Sequence, residues 1–218
     1  MKVRAILTGA TGMVGEGVLH ECLNNDNVDQ VLIINRRPSG VTHPKLKEIV
    51  HNDFFNLAAI EEQLTGYNAC FFCLGVSSVG MKEAEYTHIT YDLTVNFART
   101  VAKQNKDMVF CYVSGAGTDG TEKGRSMWAR VKGKTENDLM KLPFKNAYMF
   151  RPGFMKATDG AKNVLKYYST IAWLYPLLRA LGMASTLKEV GEAMIKCATT
   201  GCDKRVLGIR DIIKLANA

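Results

Sequence analysis

The chain has 218 residues, 28 Lys and Arg against 21 Asp and Glu, and a formal net charge of +7. That length suits one compact domain, and a content of 47% hydrophobic and 22% charged residues excludes a disordered tail, a collagen-like repeat and a coiled-coil rod. The basic residues are scattered, as Arg36-Arg37, Lys123/Arg125, Arg130/Lys132/Lys134 and Lys204-Arg205, without the clustered stripe a nucleic-acid surface needs; they suit a small anionic ligand and no nucleic acid.

In chain order, apolar runs predict strands at 3–8, 31–35, 69–74, 108–113 and 147–150, with a weaker one at 47–51. Helical stripes fall between them. Val14, Val18 and Cys22 share the first, and Ile89, Leu93, Phe97 and Val101 the second. A third helix spans 126–142, with Val131, Thr135 and Leu139 on one face and Pro143 as its stop. Strands alternating with helices predict βαβ units and a parallel sheet, so the expected fold is α/β, a Rossmann-like doubly wound sheet forming a single domain over 1–218. After Arg151-Pro152-Gly153 the alternation stops, and 154–218 is expected to form a small helical appendage on the substrate side. It holds an apolar helical segment from Tyr167 to Leu181 and a capping-box pattern, Thr186-Leu187-Lys188-Glu189, ahead of Leu187, Val190, Met194 and Cys197 at helical spacing.

The 167–181 segment is broken by Pro176 and Arg179 and is too short to span a bilayer. Core burial, a pocket roof, a dimer surface and a place at a membrane interface all remain open for it, and with them a monomer or a homodimer. Met1-Lys2-Val3-Arg4 runs straight into a strand with no apolar leader, so a soluble, cytoplasmic protein with no membrane span is expected. Six cysteines in such a chain read as reduced thiols. Cys70 and Cys73 form a C-x-x-C within an apolar run whose alternation points them to opposite faces. His20, His43, His51 and His88 make no ligand pattern, so no metal is expected.

The most informative stretch is Thr8-Gly9-Ala10-Thr11-Gly12-Met13-Val14-Gly15, which follows the first strand and opens the first helix. Glycines there permit a tight turn and close backbone approach of a pyrophosphate, while the helix N-terminus offers unpaired N–H groups and a favourable dipole. Gly9, Thr11, Gly12, Met13, Val14 and Gly15 are therefore expected to bind a nucleotide cofactor. About twenty residues beyond the loop, where a carboxylate would grip the ribose 2′-hydroxyl of NAD, the second strand ends Asn35-Arg36-Arg37. A guanidinium pairs bidentately with a 2′-phosphate, so Arg36, helped by Arg37, is expected to select NADP(H) over NAD(H).

The G-x-x-G-x-x-G spacing resembles that of the short-chain dehydrogenase/reductase superfamily, and the resemblance covers most of the chain. It implies that Asp53 and Phe54, after the third strand, hold the adenine edge. It also implies that Cys73-Leu74-Gly75 pass under the cofactor and that Arg151-Pro152-Gly153 lie near the nicotinamide. With Tyr112-Val113-Ser114-Gly115 and Val131-Lys132-Gly133-Lys134-Thr135-Glu136, these motifs look most like the atypical group of NAD(P)H-binding, NmrA-like and Tat-interacting-protein-like members, near the NAD-dependent epimerases.

In that superfamily a Tyr-x-x-x-Lys motif supplies the proton for a reduced carbonyl and a serine on the fifth strand orients its oxygen. The resemblance carries these roles to Ser114 and Lys132, and Lys132 also to the cofactor ribose; four positions before Lys132 stands Trp128 in place of the tyrosine. An indole N–H donates a hydrogen bond but does not ionise in the useful range. The sequence therefore points first to an NADP-dependent oxidoreductase or epimerase-like enzyme acting on an unidentified small, partly apolar substrate. Its rival is a catalytically silent NADPH-binding protein that reports redox state or docks a partner, which Trp128 favours.

Overall fold

Strand β1 (Val3–Thr8) is buried at every position except Arg4, the burial expected of a central parallel strand covered on both faces. The computed structural model describes residues 2–158, 160–164 and 172–218. After β1 come β2 (Val28–Asn35), β3 (Leu46–Val50), β4 (Ala69–Phe72), β5 (Val109–Val113), β6 (Asn146–Arg151), β7 (Phe154–Lys156), β8 (Ala184–Thr186) and β9 (Val206–Gly208). Seven of them form one sheet in the order β3-β2-β1-β4-β5-β6-β9, and each neighbouring pair is parallel. The order reverses between β1 and β4, which opens a crevice at the carboxyl ends of those two strands.

Alternation along β1 builds two cores. Ala5 and Leu7 join one with Val18, Leu19 and Cys22 of α1 (Met13–Asn24), together with α6 (Leu187–Thr199) and α7 (Ile209–Ala216). Ile6 faces the other, with Phe97 and Val101 of α3 (Leu93–Gln104) and Leu139 of α4 (Met127–Leu139). Cys70 lies in the second core and Cys73 packs against the first, the opposite faces expected of them.

Several element boundaries differ from expectation, each for a local reason. The stripe through Ile89 does not continue smoothly. Between α2 (Glu83–Thr87) and α3 the turn His88–Asp92 is π-helical, and its wider turn shifts the buried face to Tyr86 and Thr90, leaving Ile89 only partly buried. β4 stops at Phe72 because Leu74 N donates to Thr8 Oγ1 (3.4 Å) as the chain turns against the first loop.

The C-terminal helices are present, and the structure divides the segment expected to stand apart. α6 packs into the main core and β9 closes the sheet. The β7–β8 pair and the short α5 (Tyr175–Ala180) lie outside the main sheet. The capping box forms as expected, Thr186 Oγ1 accepting from Glu189 N (3.0 Å) and Glu189 Oε2 from Thr186 N (2.8 Å). Of the apolar segment 167–181, residues 167–171 fall outside the described residues. Among those described, no helix is long and apolar enough to cross a membrane.

Candidate functional site

Gly9 adopts φ +76°, and a Cβ there would lie 2.8 Å from the carbonyl of Cys73 and from Leu74 N. The loop and the end of β4 are thus in backbone contact, which only glycine allows. One turn later a Cβ on Gly15 would stand 2.1 Å from Gly9 O, so the first turn of α1 is pressed onto the loop. Gly12 is the N-cap of α1, with extended backbone and no side-chain cap. Its own N–H donates to Gly9 O (2.9 Å) and its carbonyl accepts from Glu16 N (2.8 Å). The first-turn N–H groups of α1 therefore have no side-chain acceptor from the cap, and they carry the positive end of the helix dipole.

Two clefts meet over this loop. One, of about 650 Å³, is lined by Thr11, Arg36, Arg37, Pro38, Asn52 and Asn163. The other, of about 560 Å³, is lined by Thr11, Gly12, Met13, Val14, Cys73, Gly75, Ser77, Met155, Asn163 and Val164. Thr11 and Asn163 belong to both, so the two form one trough crossing the helix N-terminus. Among the described residues its first half holds two guanidinium groups and no carboxylate; its second is walled mostly by apolar side chains. Glu48, on β3 beside the end of β2, is held by Asn35 Nδ2 (2.9 Å) and Ser39 N (2.8 Å) and lines a different cleft.

The structure thus brings Gly12, Thr11, Met13, Val14, Arg36, Arg37, Cys73 and Gly75 to one trough, with Gly9 and Gly15 forming the floor beneath it. It does not bring the other expected residues there. Asp53 lines neither cleft; its Oδ1 accepts from Phe55 N (2.9 Å), while its neighbour Asn52 reaches the trough. Phe54 is buried, its ring 6.0 Å from that of Phe97 in the second core, and Leu74 packs against that same core.

Arg151, Pro152 and Gly153 do structural work. Arg151 Nε and Nη2 both donate to the Glu136 carboxylate, Pro152 O accepts from Ala116 N (2.8 Å), and a Cβ on Gly153 would lie 2.4 Å from Met183 O. That glycine permits the close pass of the chain entering β7 against Met183, just before β8.

Ser114, Lys132 and Trp128 gather at the end of β5 and on α4, outside both clefts. Ser114 is buried, and its Oγ donates to Glu136 Oε1 and Phe150 O (3.1 Å). That hydroxyl is engaged inside the protein by these two oxygens. Lys132 Nζ donates to the Ser114 carbonyl. Trp128 lies over the loop after β5, its ring 3.4 Å from where a Gly117 Cβ would be. Tyr112, two residues before Ser114, is 1% exposed, and burial pushes its phenol far up, so it does not replace the missing acid.

The residue missed in the sequence is Glu136, 1% exposed and the hub for Ser114 and Arg151. Its place four residues after Lys132, on the same helix face, was the available signal. Ser77 and Asn163, from distant loops, and Met155, on β7, had none.

Lys132 is lowered to about 8, first because burial disfavours its ammonium, with Glu136 pulling it back up. An unfolded lysine titrates near ~10.4, so between these values the unfolded chain binds more protons, and this group makes stability rise with pH from about 8 upward. The thiols of Cys22, Cys70, Cys73 and Cys111, pushed up by burial, act in the opposite sense at alkaline pH. The test is therefore differential. The stability of the wild type relative to Lys132→Met, from urea unfolding under reducing conditions, is expected to grow by about 2–3 kcal/mol between about pH 7 and pH 10. A pH-independent difference would contradict a buried ammonium.

A family of proteins described as NAD(P)H-binding matches residues 9–169. "Protein FMP52, mitochondrial" from Candida albicans is 24% identical over 97% of this chain and 97% of that protein. "Protein fmp52, mitochondrial" from Aspergillus fumigatus is 31% identical over 95% of this chain and 96% of that one. Among solved structures, the Bordetella bronchiseptica enzyme WbmF in complex with NAD+ superposes with a TM-score of 0.68 at 16% identity, over 99% of this chain and 77% of that one; this likeness shows the fold. The cytoplasmic location expected from the sequence is overturned by the two curated relatives, both of which are named as mitochondrial.

Proposed function

The chain belongs to the NAD(P)H-binding family and, with its FMP52 relatives, to one lineage, and from that premise we propose that it binds NADP(H) in preference to NAD(H), its site serving recognition of the dinucleotide rather than fast carbonyl reduction. The carrying observation is the trough itself: Arg36 and Arg37 at one end, the uncapped helix N-terminus at its centre, and Met13, Val14, Met155 and Val164 at the other end. The residues present fit such a cofactor. The backbone floor of Gly9 and Gly15 leaves no Cβ between the loop and a diphosphate, and the guanidinium pair suits a 2′-phosphate.

NADPH is expected to bind at least about tenfold more tightly than NADH, and Arg36→Ala to remove the difference. Fluorescence titrations that coincide for the two nucleotides in the wild type would refute the preference.

When bound, the nicotinamide supplies or accepts a hydride; the proton is left to the protein. Three observations support a slow or silent site. The Ser114 hydroxyl is committed to Glu136, Trp128 cannot ionise, and burial holds the Tyr112 phenol protonated. General acid catalysis is commonly worth ~10² to 10⁴ in rate, and that factor is what the arrangement forgoes. Such a protein reports redox state or docks a partner according to the nucleotide it holds.

A second reading, an oxidoreductase or epimerase-like enzyme for a small, partly apolar substrate, is favoured by one observation: Lys132 at about 8 is an acid matched to neutral pH. In that reading Lys132 donates the proton to a substrate bound beside the end of β5, next to the apolar end of the trough rather than within it.

A further inference from the structure

We propose that Glu16 and Asn163 form a clasp across the cofactor trough, Asn163 touching the diphosphate and Glu16 holding it there. The proposal rests on the dinucleotide reading given above and adds to it a binding residue and the residue that positions it. Glu16 sits in the first turn of α1, where a bare carboxylate would repel a diphosphate bound to that same helix end. Instead its two oxygens are engaged. Oε1 accepts from Lys162 N and Oε2 from Asn163 N, each at 2.8 Å, joining residues 146 and 147 positions apart. Two charge-assisted bonds to consecutive backbone N–H groups fix both position and direction of that short segment.

The segment is pinned on both sides of the clasp. Before it, Ala161 N donates to Thr158 O (3.1 Å) in a turn; after it, Val164 packs against the first core. Between these anchors lies Asn163, with Thr11 the only residue lining both clefts among the described residues. In the proposed arrangement these two shared residues mark where the diphosphate of a dinucleotide spanning the trough would lie. An asparagine amide offers two N–H donors, which suits diphosphate oxygens, and the exposed Lys162 beside it adds positive charge on the solvent side. Because the Asn163 contact forms only once the dinucleotide is seated, its loss is read in dissociation more than in association.

The test is stopped-flow kinetics of NADPH binding to the intact chain, read by nucleotide fluorescence. Glu16→Ala is expected to raise the dissociation rate at least about tenfold while the association rate stays within about twofold. Glu16→Gln, which keeps one acceptor oxygen, falls between it and the wild type. General damage to the site would not reproduce that graded split between the two rates. Asn163→Ala leaves the Glu16 bonds to the backbone intact and weakens NADPH at least about tenfold, the worth of a lost hydrogen bond to a charged group.

Asn163 is exposed, so the urea midpoint of Asn163→Ala should match the wild type; Glu16→Ala loses two hydrogen bonds and should lower it slightly, which the graded rate split separates from general damage. If the wild type binds NADPH but Glu16→Ala releases it at the wild-type rate, or Asn163→Ala binds it as tightly, the clasp is overturned while the cofactor reading stands. If the wild type binds no pyridine dinucleotide, the reading beneath fails and the clasp with it.

Discussion

Gly15→Ala is expected to remove measurable NADPH binding, weakening it by at least about 100-fold, at a cost in stability of about 1–3 kcal/mol. The added methyl would stand 2.1 Å from Gly9 O and 2.4 Å from Gly9 C. Both are backbone atoms, so no rotamer change relieves the contact; the loop must move away from α1. Gly9 in turn lies against the Cys73–Leu74 peptide, so a displaced loop also loses its seat on β4 and the helix N–H groups lose their fixed aim.

Gly17→Ala is the matched control. Its methyl would meet Leu187 side-chain atoms from 2.6 Å, at the packing of α1 on α6 and away from the trough. It should lower stability by a similar amount with NADPH affinity unchanged. Calorimetric titration with urea unfolding of both variants separates the two effects. Gly15→Ala binding NADPH within about threefold of the wild type would show that the loop does not hold the diphosphate.

Arg151→Met is expected to destabilise the chain by about 3–5 kcal/mol and to leave NADPH affinity unaltered. Glu136 is 1% exposed, and the Arg151 guanidinium satisfies both its oxygens; the remaining partner is the Ser114 hydroxyl. Removing the arginine leaves a carboxylate inside the protein without its direct ion-pair partner, with only the Lys132 ammonium nearby. Removing both charges does not. In Arg151→Met/Glu136→Leu, the Ser114 hydroxyl keeps Phe150 O at 3.1 Å, so the double variant should recover most of the loss, giving a coupling energy of several kcal/mol in a double-mutant cycle. A loss under about 1 kcal/mol for Arg151→Met, or a clear loss of NADPH affinity, would instead return Arg151 to the cofactor, as its motif alone implied.

That contrast shows where the sequence was legible. Residues 8–15 are contiguous, and strand, turn and helix are each encoded locally, so the phosphate loop and its glycines could be read directly; so could Arg36 and Arg37, which follow β2 in the chain. The structural contacts of Arg151-Pro152-Gly153 were not legible because its partners are remote: Glu136 on α4, Ala116 in the loop after β5, and Met183 before β8. The contact of Ser114 with Glu136 was hidden for a related reason, since a serine at the end of a strand does not declare the buried carboxylate it meets.

The phase shift at His88–Asp92 has no signal in a stripe of Ile89, Leu93, Phe97 and Val101, because a single π turn moves the buried face without changing the residues that would compose it. β9 is three residues long, too short for a periodicity to mark it as the strand that closes the sheet. The trough likewise depends on Ser77, Met155 and Asn163, which only the folded chain brings together.

Isothermal titration calorimetry of the intact chain with NADPH and then NADH bears most directly on the claim that a backbone cradle and a guanidinium pair hold a phosphorylated dinucleotide. The account predicts saturable one-to-one binding of NADPH, at least about tenfold tighter than that of NADH. Absence of binding heat and of any ligand-induced rise in thermal stability with either nucleotide would contradict it.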